Sequence, residues 1–112
     1  MAEMNTQTIW TVTELNTFLK AMMDQKPELQ QVHIKGEISN FVHHKSGHLY
    51  FSLKDEGGLL RAVMFRGTAG KLAFKPENGM KVVARGSISL YVKDGSYQLY
   101  VTEMEPDGIG AL

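Results

Sequence analysis

GHLYFSLKDEGGLLRAVMFR, running from Gly47 to Arg66, is the stretch whose reading decides the fold. Leu49, Phe51 and Leu53 alternate with His48, Tyr50, Ser52 and Lys54. That period of two buries one face of a strand and leaves the other in water. Asp55-Glu56-Gly57-Gly58 then supplies glycines that can take positive φ in a tight reversal. A second strand, Leu59 to Arg66, is rich in apolar residues but carries Arg61 and Arg66. The predicted hairpin therefore has a core-facing row and an outer row of Tyr, His, Lys and Arg. Such an outer row suits base stacking and phosphate contact with a single-stranded nucleic acid, and an ordinary solvated hairpin has a similar composition.

Upstream, Val32, Ile34, Gly36 and Ile38 alternate with His33, Lys35, Glu37 and Ser39, which predicts another strand with a bulge or bend at Gly36. Asn40 to Ser46 is the expected loop into the hairpin. Before that, Thr11 and Glu14 have the spacing of a capping box, with Trp10 and Leu15 placed for a hydrophobic staple. Leu15, Phe18, Leu19 and Met22 fall on one helical face, and Lys26-Pro27 stops the helix. Its expected role is to cover an open end of the barrel formed by the strands. Downstream, Gly67 to Phe74 reads as a short helix or turn, and Met80 to Val92 as a long strand bent at Gly86. Asp94-Gly95 is a hairpin signal, and Ser96 to Met104 is the returning strand.

One leading helix, five strands and a helical insert between the third and fourth make an all-β reading: a five-stranded OB-fold barrel that closes to hide its edges. Residues 1–9 are expected to be flexible, 10–104 to form the barrel domain, and 105–112 to begin a linker. At 112 residues the chain is one domain with room for a core. It has no cysteine, which excludes disulfides and thiolate metal sites and favours a reducing compartment. No apolar run approaches the roughly 18–20 residues of a membrane span, and MAEMNTQT lacks the features of a signal peptide.

Twelve basic and twelve acidic residues give zero formal charge, which argues against a strongly electrostatic binder. The charges are segregated, however. Residues 33–76 hold seven Lys/Arg, three acids and all four histidines, a balance of +4 that the ends offset. Such asymmetry is expected of a domain with one binding face, and twelve charges of each sign can also segregate this much by accident. The candidate binding residues are Lys35, His43, His44, Lys45, His48, Tyr50, Lys54, Arg61, Phe65, Arg66, Arg85 and Tyr91. Parity places Phe51 in the core and Tyr50 outside beside Arg61. Phe65 fits either face, Tyr97 fits a core edge with Leu99 and Val101, and Tyr91 fits an exposed hairpin end.

His43, His44 and His48 invite a metal, but they lack the well-spaced fourth ligand of a tetrahedral zinc site. No metal or other cofactor is expected in this stretch of chain. No nucleophile elbow, phosphate loop or nuclease-like acid pair is present, so the fragment itself is not read as catalytic.

KGEISNF (Lys35 to Phe41), SGHLYFSLKDE (Ser46 to Glu56), RAVMFRG (Arg61 to Gly67), FKPENGM (Phe74 to Met80) and YQLYVTEMEPDGIGAL (Tyr97 to Leu112) resemble the amino-terminal domain of the exodeoxyribonuclease VII large subunit. TVTELN, Thr11 to Asn16, fits as well, so the resemblance spans residues 10–112. It implies a bacterial cytoplasmic nuclease that degrades single-stranded DNA to oligonucleotides with a small-subunit partner. In that family this domain is the DNA-binding OB module, and the catalytic region lies further along the chain. The resemblance certifies no individual contact residue. An OB domain of another nucleic-acid protein, such as an anticodon-binding domain, or a protein-interaction barrel, are the alternatives.

Overall fold

A computed structural model describes residues 9–108. Its elements are α1 (Val12–Asp24), a 3-10 turn (Pro27–Leu29), β1 (Val32–His43), β2 (Leu49–Lys54), β3 (Leu59–Met64), α2 (Arg66–Ala69), β4 (Lys81–Tyr91) and β5 (Ser96–Pro106). The strands close into a barrel in the order β1-β2-β3-β5-β4. All neighbours are antiparallel except β3 and β5, which meet in parallel at Ala62–Leu99 and Val63–Tyr100. This is the five-stranded OB barrel that the alternating pattern predicts, with its leading helix and its insert between β3 and β4.

The interior is filled by one side of each strand. Ile38, Leu49, Phe51, Leu53, Ala62, Met64, Val82, Ala84, Ile88, Leu99, Val101 and Met104 form one buried cluster. Ala69, Leu72 and Phe74, from α2 and the segment after it, pack against that cluster together with Phe41 and Met80. Gly86 sits where the β4–β5 register shifts, as the predicted bend requires. A Cβ there would land on the Tyr100 carbonyl, so only glycine lets the two backbones approach this closely.

Several local expectations are corrected. The β1 irregularity lies between Ser39 and Val42, not at Gly36, and the strand runs on to His43. Asn40 adopts φ 52 there, in the left-handed region that asparagine tolerates. The Phe41 N–H that the bulge frees donates to Asn78 Oδ1 at 2.9 Å. The β2–β3 turn does not use positive φ at Gly57 or Gly58. Instead Asp55 Oδ1 accepts from both of their N–H groups, at 3.0 and 2.9 Å, as an Asx-type turn. The final strand extends to Pro106, which pairs with Val82.

Helix α1 opens with the predicted capping box: Thr11 N–H donates to Glu14 Oε1 at 2.9 Å and Glu14 N–H to Thr11 Oγ1 at 3.0 Å. Trp10 packs its ring on Phe18, with centroids 5.2 Å apart. The helix does not plug the barrel end. It lies outside β4, tied by Asn16 Nδ2–H to the Val92 carbonyl (3.0 Å) and by the Ser89 hydroxyl to Asp24 (2.6 Å). Asn16, Lys20 and Met23 are its more covered residues, whereas Leu15, Phe18, Leu19 and Met22 remain exposed. No α1 residue is buried, because the barrel interior is already filled by strand side chains and the segment after β3.

Candidate functional site

Strand parity determines what the outer face of β2 and β3 presents. Tyr50 is 42% exposed while its neighbour Phe51 is 4% exposed, as the alternation predicts. Tyr50 pairs with Val63 and Ser52 with Arg61. Side chains of directly opposed residues share a face, so Tyr50 and Arg61 are diagonal neighbours on one outer surface.

A line of rings crosses this surface. His44 and His48 both meet Tyr50 edge-on, with centroids 6.1 and 6.4 Å away. His48 meets Phe65 edge-on at 5.3 Å, and Phe65 stacks on Tyr100 at 6.1 Å with 25° between the planes. The line thus runs from the β1–β2 turn across β2 and the end of β3 to β5. Burial pushes the Tyr100 hydroxyl above its ordinary pKa, with Lys20, Asp24 and Tyr91 nearby. Asp24 is held below the ordinary carboxylate range by hydrogen bonds from Lys20 and then Ser89. These contacts place the C-terminal half of α1 along the border of the ring surface.

The two histidines are oriented by backbone donors. Arg66 N–H donates to His48 Nδ1 at 2.9 Å, and Ser46 N–H donates to His44 Nδ1 at 3.0 Å. A backbone N–H can only donate, so each Nδ1 accepts and each ring carries its proton on Nε2. Gly47 takes φ 95 beside the Arg66 side chain, where a Cβ would meet Arg66 Cβ at 2.9 Å. Glycine therefore lets the β1–β2 turn lie against the start of α2.

The cations are distributed unevenly. Arg61 Nη1 reaches Asp94 Oδ2, in the β4–β5 turn, at 3.1 Å. Lys45 is exposed in the β1–β2 turn. His43 and Arg66 border a recess with Phe41, Leu49, Leu72 and Phe74. Lys54 lies at the far end of β2 opposite Glu37. It shares a recess with Lys35, Lys81, Asp55, Glu56 and Asp107. Arg85 is removed from the ring line: it pairs with Glu103 and lines a separate recess with His33 and Lys71. Tyr91 is exposed at the end of β4. Tyr97, expected at a core edge, is 53% exposed because it stands near the hairpin tip, two residues before the buried Leu99.

Sequence reasoning missed Tyr100, Gln98 and Asn40. Parity identifies the first two, since Gln98 and Tyr100 flank the buried Leu99 and therefore point out of the barrel. Asn40 had no such signal, because it reaches the face through the bulge. Among the described residues no group of three or more His, Cys, Asp or Glu is arranged to hold a metal. None of their helices is long and apolar enough to cross a membrane.

Residues 10–105 match the family described as an OB-fold nucleic acid binding domain. The chain is similar to the exodeoxyribonuclease 7 large subunit of Clostridium acetobutylicum, 56% identical over 104 residues, which is 93% of this chain and 26% of that protein. The same subunit of Ruminiclostridium cellulolyticum is 50% identical over the same shares. The chain thus spans about a quarter of the length of these curated relatives. Among solved structures, a replication protein A heterotrimer bound to ssDNA superposes with a TM-score of 0.57 at 15% identity, covering 70% of this chain and 58% of that one. Asparaginyl-tRNA synthetase from Pyrococcus horikoshii gives 0.55 at 19% identity, over 73% of this chain and 21% of that one. At such identities these two establish the fold alone.

Proposed function

The chain belongs to the OB-fold nucleic-acid-binding family, and from that premise we propose that it is the single-stranded-DNA-binding module of an exodeoxyribonuclease VII large subunit. The observation that carries this reading is the line of rings from His44 through Tyr50, His48 and Phe65 to Tyr100, with Arg61 and Arg66 beside it. A ring accepts the π-face of any base, so a row of rings holds a strand with little regard to sequence. Sequence identity of 50–56% to the nuclease subunit, against 19% to the synthetase, favours DNA over an anticodon loop.

In this reading Tyr50, Phe65 and Tyr91 offer rings to bases, and His44 and His48 add Nε2–H donors. Arg61, Arg66, His43, Lys45 and Lys54 meet the backbone. Lys35 and Arg85 lie off the ring line and contribute through the field alone. The module positions single strands in the bacterial cytoplasm for a catalytic region elsewhere in the parent protein, which cuts them with its small-subunit partner.

Titration of labelled oligothymidylate by fluorescence anisotropy at several salt concentrations tests the reading. Each phosphate neutralised on a single strand contributes about −0.7 to the log–log salt slope. A domain of zero formal charge with a few face cations should give a slope of roughly −1 to −3. No binding even at low salt would refute the proposal.

A further inference from the structure

Beside the ring line lies a recess of about 340 Å³ lined by Asn40, Tyr50, Ser52, Arg61 and Gln98 over the backs of Phe51 and Ala62. The sheet register explains why these residues converge. Ser39, Ser52 and Arg61 oppose one another across β1, β2 and β3. Gln98 continues that row on β5, since the next residue, Leu99, pairs with Ala62. At the β1 end of the row the bulge turns Asn40 into the left-handed region, the only non-glycine there among the described residues. This conformation, which asparagine tolerates, sets Asn40 at the edge of the recess.

The recess has the two features that a base site needs. One wall is an exposed tyrosine ring. The Asn40 and Gln98 side-chain amides make no hydrogen bond among the described residues, and the adjacent Ser39 hydroxyl is buried without a partner. Arg61 is already committed, turned toward Asp94 at 3.1 Å.

We infer that this recess takes a single nucleobase and reads its edge through the Asn40 and Gln98 amides, with adenine the preferred base. The inference rests on the single-strand-binding function proposed above, and adds a specificity that the ring line does not have. A carboxamide presents a donor and an acceptor side by side, which matches adenine N6–H and N7 in a bidentate pair. Adenine presents the same donor–acceptor pairing on its other edge, at N6–H and N1. The other bases can engage only one carboxamide in this way: cytosine at N4–H and N3, thymine at N3–H and a neighbouring carbonyl, guanine at O6 and N1–H. Guanine's remaining edge, O6 and N7, calls for two donors, the service an arginine gives. Here the arginine is held by a carboxylate. The strand as a whole is thus bound without regard to sequence, while one position is read.

The test compares oligothymidylate with the same strand carrying one central adenine, guanine or cytosine, by anisotropy at fixed salt. A bidentate amide–adenine pair discriminates by at least about fivefold, so the single-adenine strand should bind the wild-type chain at least that much more tightly. The ratio of adenine-containing to plain-strand affinity should fall to about one in Asn40→Gly and in Gln98→Ala. Glycine is the replacement at position 40 because it accepts the backbone φ of 52 without a side chain. Gln98→Ala decides the matter if the bulge does not survive in the other variant. Equal wild-type affinity for all four strands, or an adenine preference unchanged in Gln98→Ala, overturns the recess and leaves strand binding standing. Failure to bind any strand removes both.

Discussion

Asp94 holds Arg61, an arginine of the proposed binding face, so neutralising it should tighten DNA binding. The Arg61–Asp94 pair joins β3 to the β4–β5 turn at 3.1 Å, with the two side chains 62% and 50% exposed. Exposed pairs of this kind contribute about 0–1 kcal/mol. A phosphate that recruits Arg61 must first displace the carboxylate and then lie near its negative charge. Asp94→Asn removes both costs. The amide still accepts the Ser96 hydroxyl, which now donates to Asp94 Oδ2 at 2.8 Å, and asparagine suits a turn. Affinity should rise by up to about fivefold at low salt, and the salt slope should steepen by up to about 0.7. The control is a double-mutant cycle with Arg61→Ala, read by anisotropy on oligothymidylate at several salt concentrations. The gain from Asp94→Asn should vanish when Arg61 is absent. A gain that persists there would come from general charge and not from a released arginine; no gain at all would refute the competition outright.

Two further substitutions test the parity on which the site rests. Tyr50→Ala should cost about 1–3 kcal/mol of binding on every sequence with little change in melting temperature, whereas Phe51→Ala should cost about 3–5 kcal/mol of stability; the reverse pattern would mean that the face is misassigned. Gly86→Ala drives a Cβ into the Tyr100 carbonyl. Backbone cannot yield as a side chain tip can, so calorimetry should show the melting temperature falling by more than about 10 °C, at about 4–8 °C per kcal/mol for a domain of this size; an unchanged melting temperature would show that the two strands are not held this close.

The barrel was legible because its signals are local. Alternation in β2 and β5, the Thr11–Glu14 capping box and the glycine at the β4 bend each act within a few residues or one strand pair. The bulge in β1 was not legible, because its anchor is remote: Asn78, 37 residues away, receives the freed Phe41 N–H. Gly36 attracted the bend instead, but its need for glycine is steric, a Cβ there lying 3.1 Å from Leu53 Cβ. The seat of α1 was likewise hidden. An apolar stripe in sequence argues for burial of that stripe, yet the helix is fastened by Asn16 and Asp24 to partners 76 and 65 residues away. Long-range polar contacts of this kind have no periodic signature.

The same distinction between local and long-range effects accounts for the character of the site. Summed charge suggests a poor nucleic-acid binder, and the structure shows how far that inference carries. Two face cations stand beside acids: Arg61 pairs with Asp94, and Lys54 lies opposite Glu37 and shares its recess with Asp55, Glu56 and Asp107. The +4 balance of residues 33–76 already counts Glu37, Asp55 and Glu56, and Asp94 offsets one charge more, so the field is modest. Stacking has no such electrostatic compensation, since a nearby charge does not close the open face of a ring. On the proposed reading, affinity comes chiefly from the rings, and ions set mainly its salt dependence. A strand held in that way can be displaced one base at a time, because each stacking contact is worth only about 1–3 kcal/mol, whereas a dense array of phosphate contacts would have to be broken together. For the strand-presenting role proposed above, modest and divisible contacts serve better than a tight grip.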